Sequence, residues 1–172
     1  MGLIEDLDYA IKPANRLQNT LQRAAARPWV SSTLQKTLYP LDKALHRTSG
    51  GRHTVAGLLA GIPVIMLMTT GAKTGKARST PLIGIPMEDH LVVIGSNYGT
   101  KATPGWVHNL EANPAAVVTY RDRRAAVVAR RATDQETDRA FELAAAVYVA
   151  FPAYRARAAH RMIRVLALEA AT

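Results

Sequence analysis

With 172 residues and 48% apolar content, the chain can bury one full hydrophobic core but not two, so a single domain over 1–172 is expected. It has no cysteine, which excludes disulfides, thiolate metal sites and cysteine nucleophiles and suits a cytosolic protein. A formal charge of +9 calls for an anionic partner, but aromatics are only 6% and no nucleic-acid motif is present, so no nucleic-acid partner is expected.

In chain order, Glu5, Asp6 and Asp8 stand where a secretory leader would carry positive charge, so export is not expected. Apolar residues spaced by three and four predict a helix from Leu3 to about Ala26, kinked near Pro13. A second helix is predicted from about Ser31 to His46, with Leu34, Leu38, Leu41 and Leu45 on one face, closing at Gly50-Gly51. These helices, a 1–60 extension, either cover one end of a β core or make peripheral membrane contact. The apolar run Val55 to Met68 is too short to span a bilayer and is broken by Gly57, Gly61 and Pro63.

From residue 61 the pattern changes to short apolar strands at about 63–70, 78–87, 90–96, 115–121 and 123–131, joined by tight turns. An antiparallel sheet or small barrel follows from that spacing. Thr103 is placed to cap a short helix with Pro104 at its first position, ended by Asn113-Pro114. Thr133 with Glu136 forms a capping-box pattern for a helix from Asp134 to Ala150, broken by Pro152. A short helix around Tyr154 to His160 then leads to a last strand within MIRVLALEA.

Four stretches carry candidate chemistry. In TTGAKTGKAR, Gly71 and Gly75 allow a turn with positive φ that brings Lys73, Lys76 and Arg78 together on anionic oxygens; a solvated hairpin tip is the bland alternative. The loop SNYGTK follows a strand directly and offers hydroxyl, amide and backbone groups. In the Trp106 helix, Trp106 can wall a flat ring or simply pack in the core, and His108 can donate a proton or sit at the surface. Tyr148, Phe151 and Tyr154 flank Pro152 and can line an apolar pocket. The five histidines show no ligand spacing, so no metal is expected, and no hydrolase signature is present.

Taken in order, TTGAKTGKARSTPL, SNYGT, PGWVHNLEANP and FPAY resemble the motifs of the deazaflavin-dependent nitroreductase family of actinobacterial split-barrel oxidoreductases. The resemblance runs from about Pro63 to the C-terminus. It implies an α+β fold: an antiparallel split β-barrel of about six strands in 61–172, with N-terminal and C-terminal helices packed on it. It also implies an enzyme using coenzyme F420, an 8-hydroxy-5-deazaflavin, in preference to FMN.

By the same resemblance, Lys73, Thr74 and Arg78 would hold the phosphate and anionic tail, with Ala72 and Lys76 of the same turn also expected at the cofactor. Ser79, Thr80, Pro81, Leu82, Ile83, Ile94, Gly95, Ser96, Asn97, Gly105, Trp106, Val107, His108 and Asn109 would line the ring and its chain. Tyr154 would face the ring, the reduction being completed by a solvent proton or by Tyr154 as catalytic residue, and Tyr148, Phe151 and Arg157 would form the substrate pocket. Hydride would pass to a quinone, an enone or a nitroaromatic; the alternative is a carrier that binds the deazaflavin without turnover. The chain departs from the family pattern at Ala72, Tyr98, Phe151 and Arg157.

Overall fold

The structure, a computed structural model, describes residues 2–11, 15–25, 41, 61–149 and 151–171. Pro13 and the expected 31–46 helix, Leu41 apart, lie outside these residues. Within the first expected helix, two segments form: α1 (Leu3–Asp6) and α2 (Arg16–Ala25).

The sheet is built from β1 (Val64–Thr70), β2 (Ala77–Ile83), β3 (Ile85–Met87), β4 (His90–Ile94), β5 (Ala115–Tyr120), β6 (Arg123–Arg131) and β7 (Val165–Ala170). Its spatial order is β2-β1-β5-β6-β7-β4-β3, and all six pairings are antiparallel. The segment expected as one strand, 78–87, is bent at Gly84 into β2 and β3. Those two pieces occupy opposite ends of the ladder, so one bent segment joins both margins of the sheet. The sheet therefore curls into a barrel whose last gap is bridged by the chain itself and not by a hydrogen-bonded ladder.

Tyr9 secures that gap. Its hydroxyl reaches two carbonyl oxygens, Gly84 O at 2.6 Å and Pro63 O at 3.2 Å, and a Cβ at Gly84 would stand 3.0 Å from the Tyr9 oxygen. The phenol is 7% exposed, and burial raises its pKa, so it stays a neutral donor.

β4 and β7 are covered on both faces, which is why HLVVI and VLAL read as unbroken apolar runs. Leu91, Val93, Leu166 and Leu168 point to one core with α1, Ile65, Leu67 and Val118. Val92, Val165 and Ala167 point to a second core. Each such side chain, fully buried, contributes about 1.5–3 kcal/mol relative to exposure.

The first core also receives α3 (Gly105–Ala112) through Trp106, Val107 and Leu110. Pro104, extended at ψ 144°, is the N-cap of α3, and no side chain caps it. The expected Thr103 cap is thus displaced by one residue, because proline at ψ 144° already ends the extended approach. The second core is closed by α4 (Asp134–Val147) and α5 (Phe151–Arg157).

The capping box at the start of α4 forms as expected, with Glu136 N donating to Thr133 Oγ1 and Thr133 N to Glu136 Oε2. α4 ends at Val147, not Ala150, because Tyr148 is extended. Pro152 does not terminate it; it sits in the first turn of α5, where a missing N–H is harmless. α5 accordingly starts at Phe151, earlier than the expected Tyr154, and ends at Arg157.

Candidate functional site

The glycine turn between β1 and β2 is a closed loop. Gly71 N donates to Lys76 O at 2.8 Å, and Gly75 N to Gly71 O at 2.8 Å. Gly75 is left-handed (φ +65°), as expected. Gly71 is not; glycine is required there for space, since a Cβ would lie 2.8 Å from Thr74 Oγ1 and 3.1 Å from Lys76 O.

Asn109 fastens this turn to α3. Its Nδ2 donates to Thr69 Oγ1 and its Oδ1 accepts from Ala72 N, both at 3.0 Å. The side chain spans 37 to 40 residues of sequence and sets the height of the cationic turn over the helix.

The loop after β4 is the second wall. Asn97, Tyr98 and Gly99 are consecutively left-handed, at φ 48°, 56° and 81°. For Tyr98 this costs roughly 1–2 kcal/mol, while asparagine adopts this region more readily. Arginine bonds oppose the strain: Arg161 donates to Thr100 O, Gly95 O and Ser96 O at 3.1, 3.0 and 2.9 Å, and Arg157 Nη2 to Tyr98 O at 3.3 Å. Gly99 is fixed as glycine by its φ and by Arg157 Cβ, which an added Cβ would meet at 2.6 Å.

α5 and the end of α4 form the third wall. Tyr148 and Tyr154 place their hydroxyl oxygens 3.0 Å apart, and the Tyr154 ring meets Tyr98 edge-on at 5.6 Å between centroids. Burial raises the pKa of both phenols, so both carry their protons at neutral pH. The Arg157 guanidinium lies over the Tyr154 ring at 4.9 Å.

These walls enclose a cavity of about 890 Å³, within the range of sites that bury a sizeable ligand. Ala72, Lys73, Thr74 and Arg78 line it from the glycine turn and the start of β2. Thr80, Pro81, Leu82, Ile83, Ile94, Ser96, Asn97, Gly105, Trp106, His108 and Asn109 line it as well. Tyr148, Phe151 and Tyr154 stand on the wall supplied by α4 and α5. Trp106 is 5% exposed, packed in the core and also on the cavity wall.

Five predicted residues are not on the wall. Lys76, the last residue of the turn, does not line the cavity, and Ser79 lies on β2 opposite Met68. Gly95 and Val107 pack against each other behind the wall, an added Gly95 Cβ lying 3.0 Å from Val107 Cγ2. Arg157 stands behind Tyr154. Sequence reasoning missed Ile62, Val64, Gly71, Ile85, Tyr98, Thr103 and Pro104, all of which line the cavity. Tyr98 could have been found, because it interrupts a glycine-bearing loop with a ring. Among the described residues no group of three or more His, Cys, Asp or Glu could hold a metal.

Known proteins share this chain's sequence pattern and fold. A sequence profile of the F420H(2)-dependent quinone reductase family matches residues 40–170. An F420H(2)-dependent quinone reductase of Mycobacterium tuberculosis is 32% identical over 112 residues, 64% of this chain and 73% of that protein. An F420-H2 dependent reductase of known structure, FDR-A, superposes with a TM-score of 0.56 at 29% identity, covering 62% of this chain and 93% of that one. A domain-swapped dimer gives 0.59 at 26% identity, covering 81% and 96%. The chain belongs to the F420H(2)-dependent quinone reductase family, oxidoreductases built on the split barrel described above.

Proposed function

We propose that the cavity binds coenzyme F420 and that the enzyme reduces a quinone with it. The observation that carries this reading is one cavity lined together by Lys73 and Arg78, by apolar and flat side chains such as Leu82, Ile83, Ile94 and Trp106, and by the phenols Tyr148 and Tyr154. The donor set fits the cofactor: cations for its phosphate and carboxylates, flat and aliphatic surface for its ring, and a hydroxyl near the reacting region.

Lys73, Thr74 and Arg78 would hold the tail, with Asn109 fixing their turn in place. Thr80 to Ile83, Ile94, Ser96, Asn97 and Trp106 would hold the ring. When bound in reduced form the cofactor supplies a hydride; the protein excludes water and brings donor and acceptor into contact. Tyr154 is the group that would give a proton to the acceptor oxygen, being neutral and on the cavity wall. The acceptor class is read as a quinone because the matching family and relatives carry that name.

Fluorescence titration of oxidised F420 into the protein tests the first part. Saturable micromolar binding that weakens at least tenfold in Lys73→Ala with Arg78→Ala is expected, and no saturation in the wild type would sink the reading. Single-turnover oxidation of F420H2 by menadione tests the second part.

A further inference from the structure

We propose that Tyr148 and Arg157 are positioning residues that make Tyr154 the acid of this site, forming a three-membered unit in which Tyr148 donates its hydroxyl hydrogen bond to Tyr154 while Arg157 sits over the Tyr154 ring. The inference rests on the quinone-reductase reading for the reaction served, but its geometry is independent of any cofactor.

The two hydroxyl oxygens are 3.0 Å apart, so one phenol must donate to the other. Arg157 decides the direction. Its guanidinium lies 4.9 Å from the centroid of Tyr154, so negative charge is better placed on Tyr154. Tyr154 is then the acceptor of the pair, and its own proton is the one to be transferred. Tyr98, edge-on at 5.6 Å, is a further titratable side chain set against this ring.

The backbone holds Tyr148 firmly. Its N–H donates to Ala144 O and its carbonyl accepts from Phe151 N, both at 2.9 Å. The next N–H, of Val149, donates to Oε1 of Gln22, a side chain only 1% exposed. A donor fixed before the reaction needs no reorganisation when charge develops on its acceptor.

Quinone reduction to the hydroquinone takes one hydride and one proton at the acceptor. The hydride and its two electrons would be supplied by the reduced cofactor when bound, with the cofactor's second hydrogen going to solvent as a proton. The Tyr154 O–H bond breaks as the new acceptor O–H bond forms. The phenolate left on Tyr154 takes the Tyr148 proton along the 3.0 Å contact, and Tyr148 regains one from water.

The test combines a readout on the cofactor-free protein with one on the loaded enzyme. With 3,5-difluorotyrosine at position 154, ¹⁹F NMR follows its ionisation. Tyr148→Phe is expected to raise that pKa by about 1–2 units, the worth of a hydrogen bond to a charged group, Arg157→Gln to raise it through loss of the cation over the ring, and Arg157→Lys to restore part of the Arg157→Gln shift. Single-turnover F420H2 oxidation by menadione is expected to slow about tenfold or more in Tyr148→Phe at saturating cofactor, with a larger solvent isotope effect. An unmoved Tyr154 titration in both variants would overturn the proposal. So would an unchanged rate and isotope effect in Tyr148→Phe. Failure of the wild type to bind F420 would instead remove the quinone-reductase reading while leaving the NMR result to stand by itself.

Discussion

Asn109 uses both ends of one amide, so its loss is felt away from its own position. Asn109→Ala removes the bonds to Thr69 Oγ1 and Ala72 N and frees the cationic turn from α3. Each bond is worth about 0.5–1.5 kcal/mol, so F420 affinity is expected to fall about tenfold, read by fluorescence titration, with a small drop in Tm. Glu136 is the second residue with a distinct signature. Arg130 grips it at 2.6 and 2.7 Å, and this pairing, with the Thr133 cap, holds its carboxyl at about 2 against the ordinary 4.5. A depressed carboxylate pKa gives stability that is complete above the unfolded value and lost as pH falls through the folded one. The stability gap between wild type and Glu136→Gln, which keeps a capping side chain, should therefore be full at pH 6 and close between about 4.5 and 2, as measured by urea unfolding.

At the scale of elements, what the sequence revealed was whatever repeats locally. Strands β1, β4, β5 and β6 and the Thr133 capping box were legible because apolar runs, tight turns and an S/T-x-x-E pattern are short-range signals. The bend at Gly84 was not legible, because β2 and β3 together keep the composition of one strand and the need for the bend comes from closing the sheet. Nor was Tyr9, whose partners lie 54 and 75 residues away and which follows a helix of only four residues. Tyr9→Phe leaves two buried carbonyls without this donor and is expected to cost about 1–3 kcal/mol, several degrees in Tm, and to weaken F420 binding as well. A Gly84→Ala variant, whose new methyl would press on the Tyr9 hydroxyl, should move both readouts in the same direction.

Over the whole molecule, the site joins segments that the sequence keeps far apart: the turn at 71–78, the loop at 94–98, α3, and the 148–154 aromatics. Their convergence was legible only through the ordered motifs, since no periodicity links residue 73 to residue 154; the inward and outward partition of Ser79, Val107 and Arg157 depends on strand register and helix packing. With a net charge of +9, attraction for an anionic cofactor is felt beyond direct contacts. F420 affinity should fall several-fold between 50 and 500 mM NaCl, and the salt dependence should flatten in the Lys73, Arg78 double variant. The gap at Gly84 then has a mechanical meaning. Thr80 to Ile83 and Ile85, on either side of it, are also cavity wall, so a bound cofactor would act as the missing stave of the barrel and tighten its hoop. Amide exchange across residues 80–87 should slow on F420 binding more than anywhere in β5 or β6.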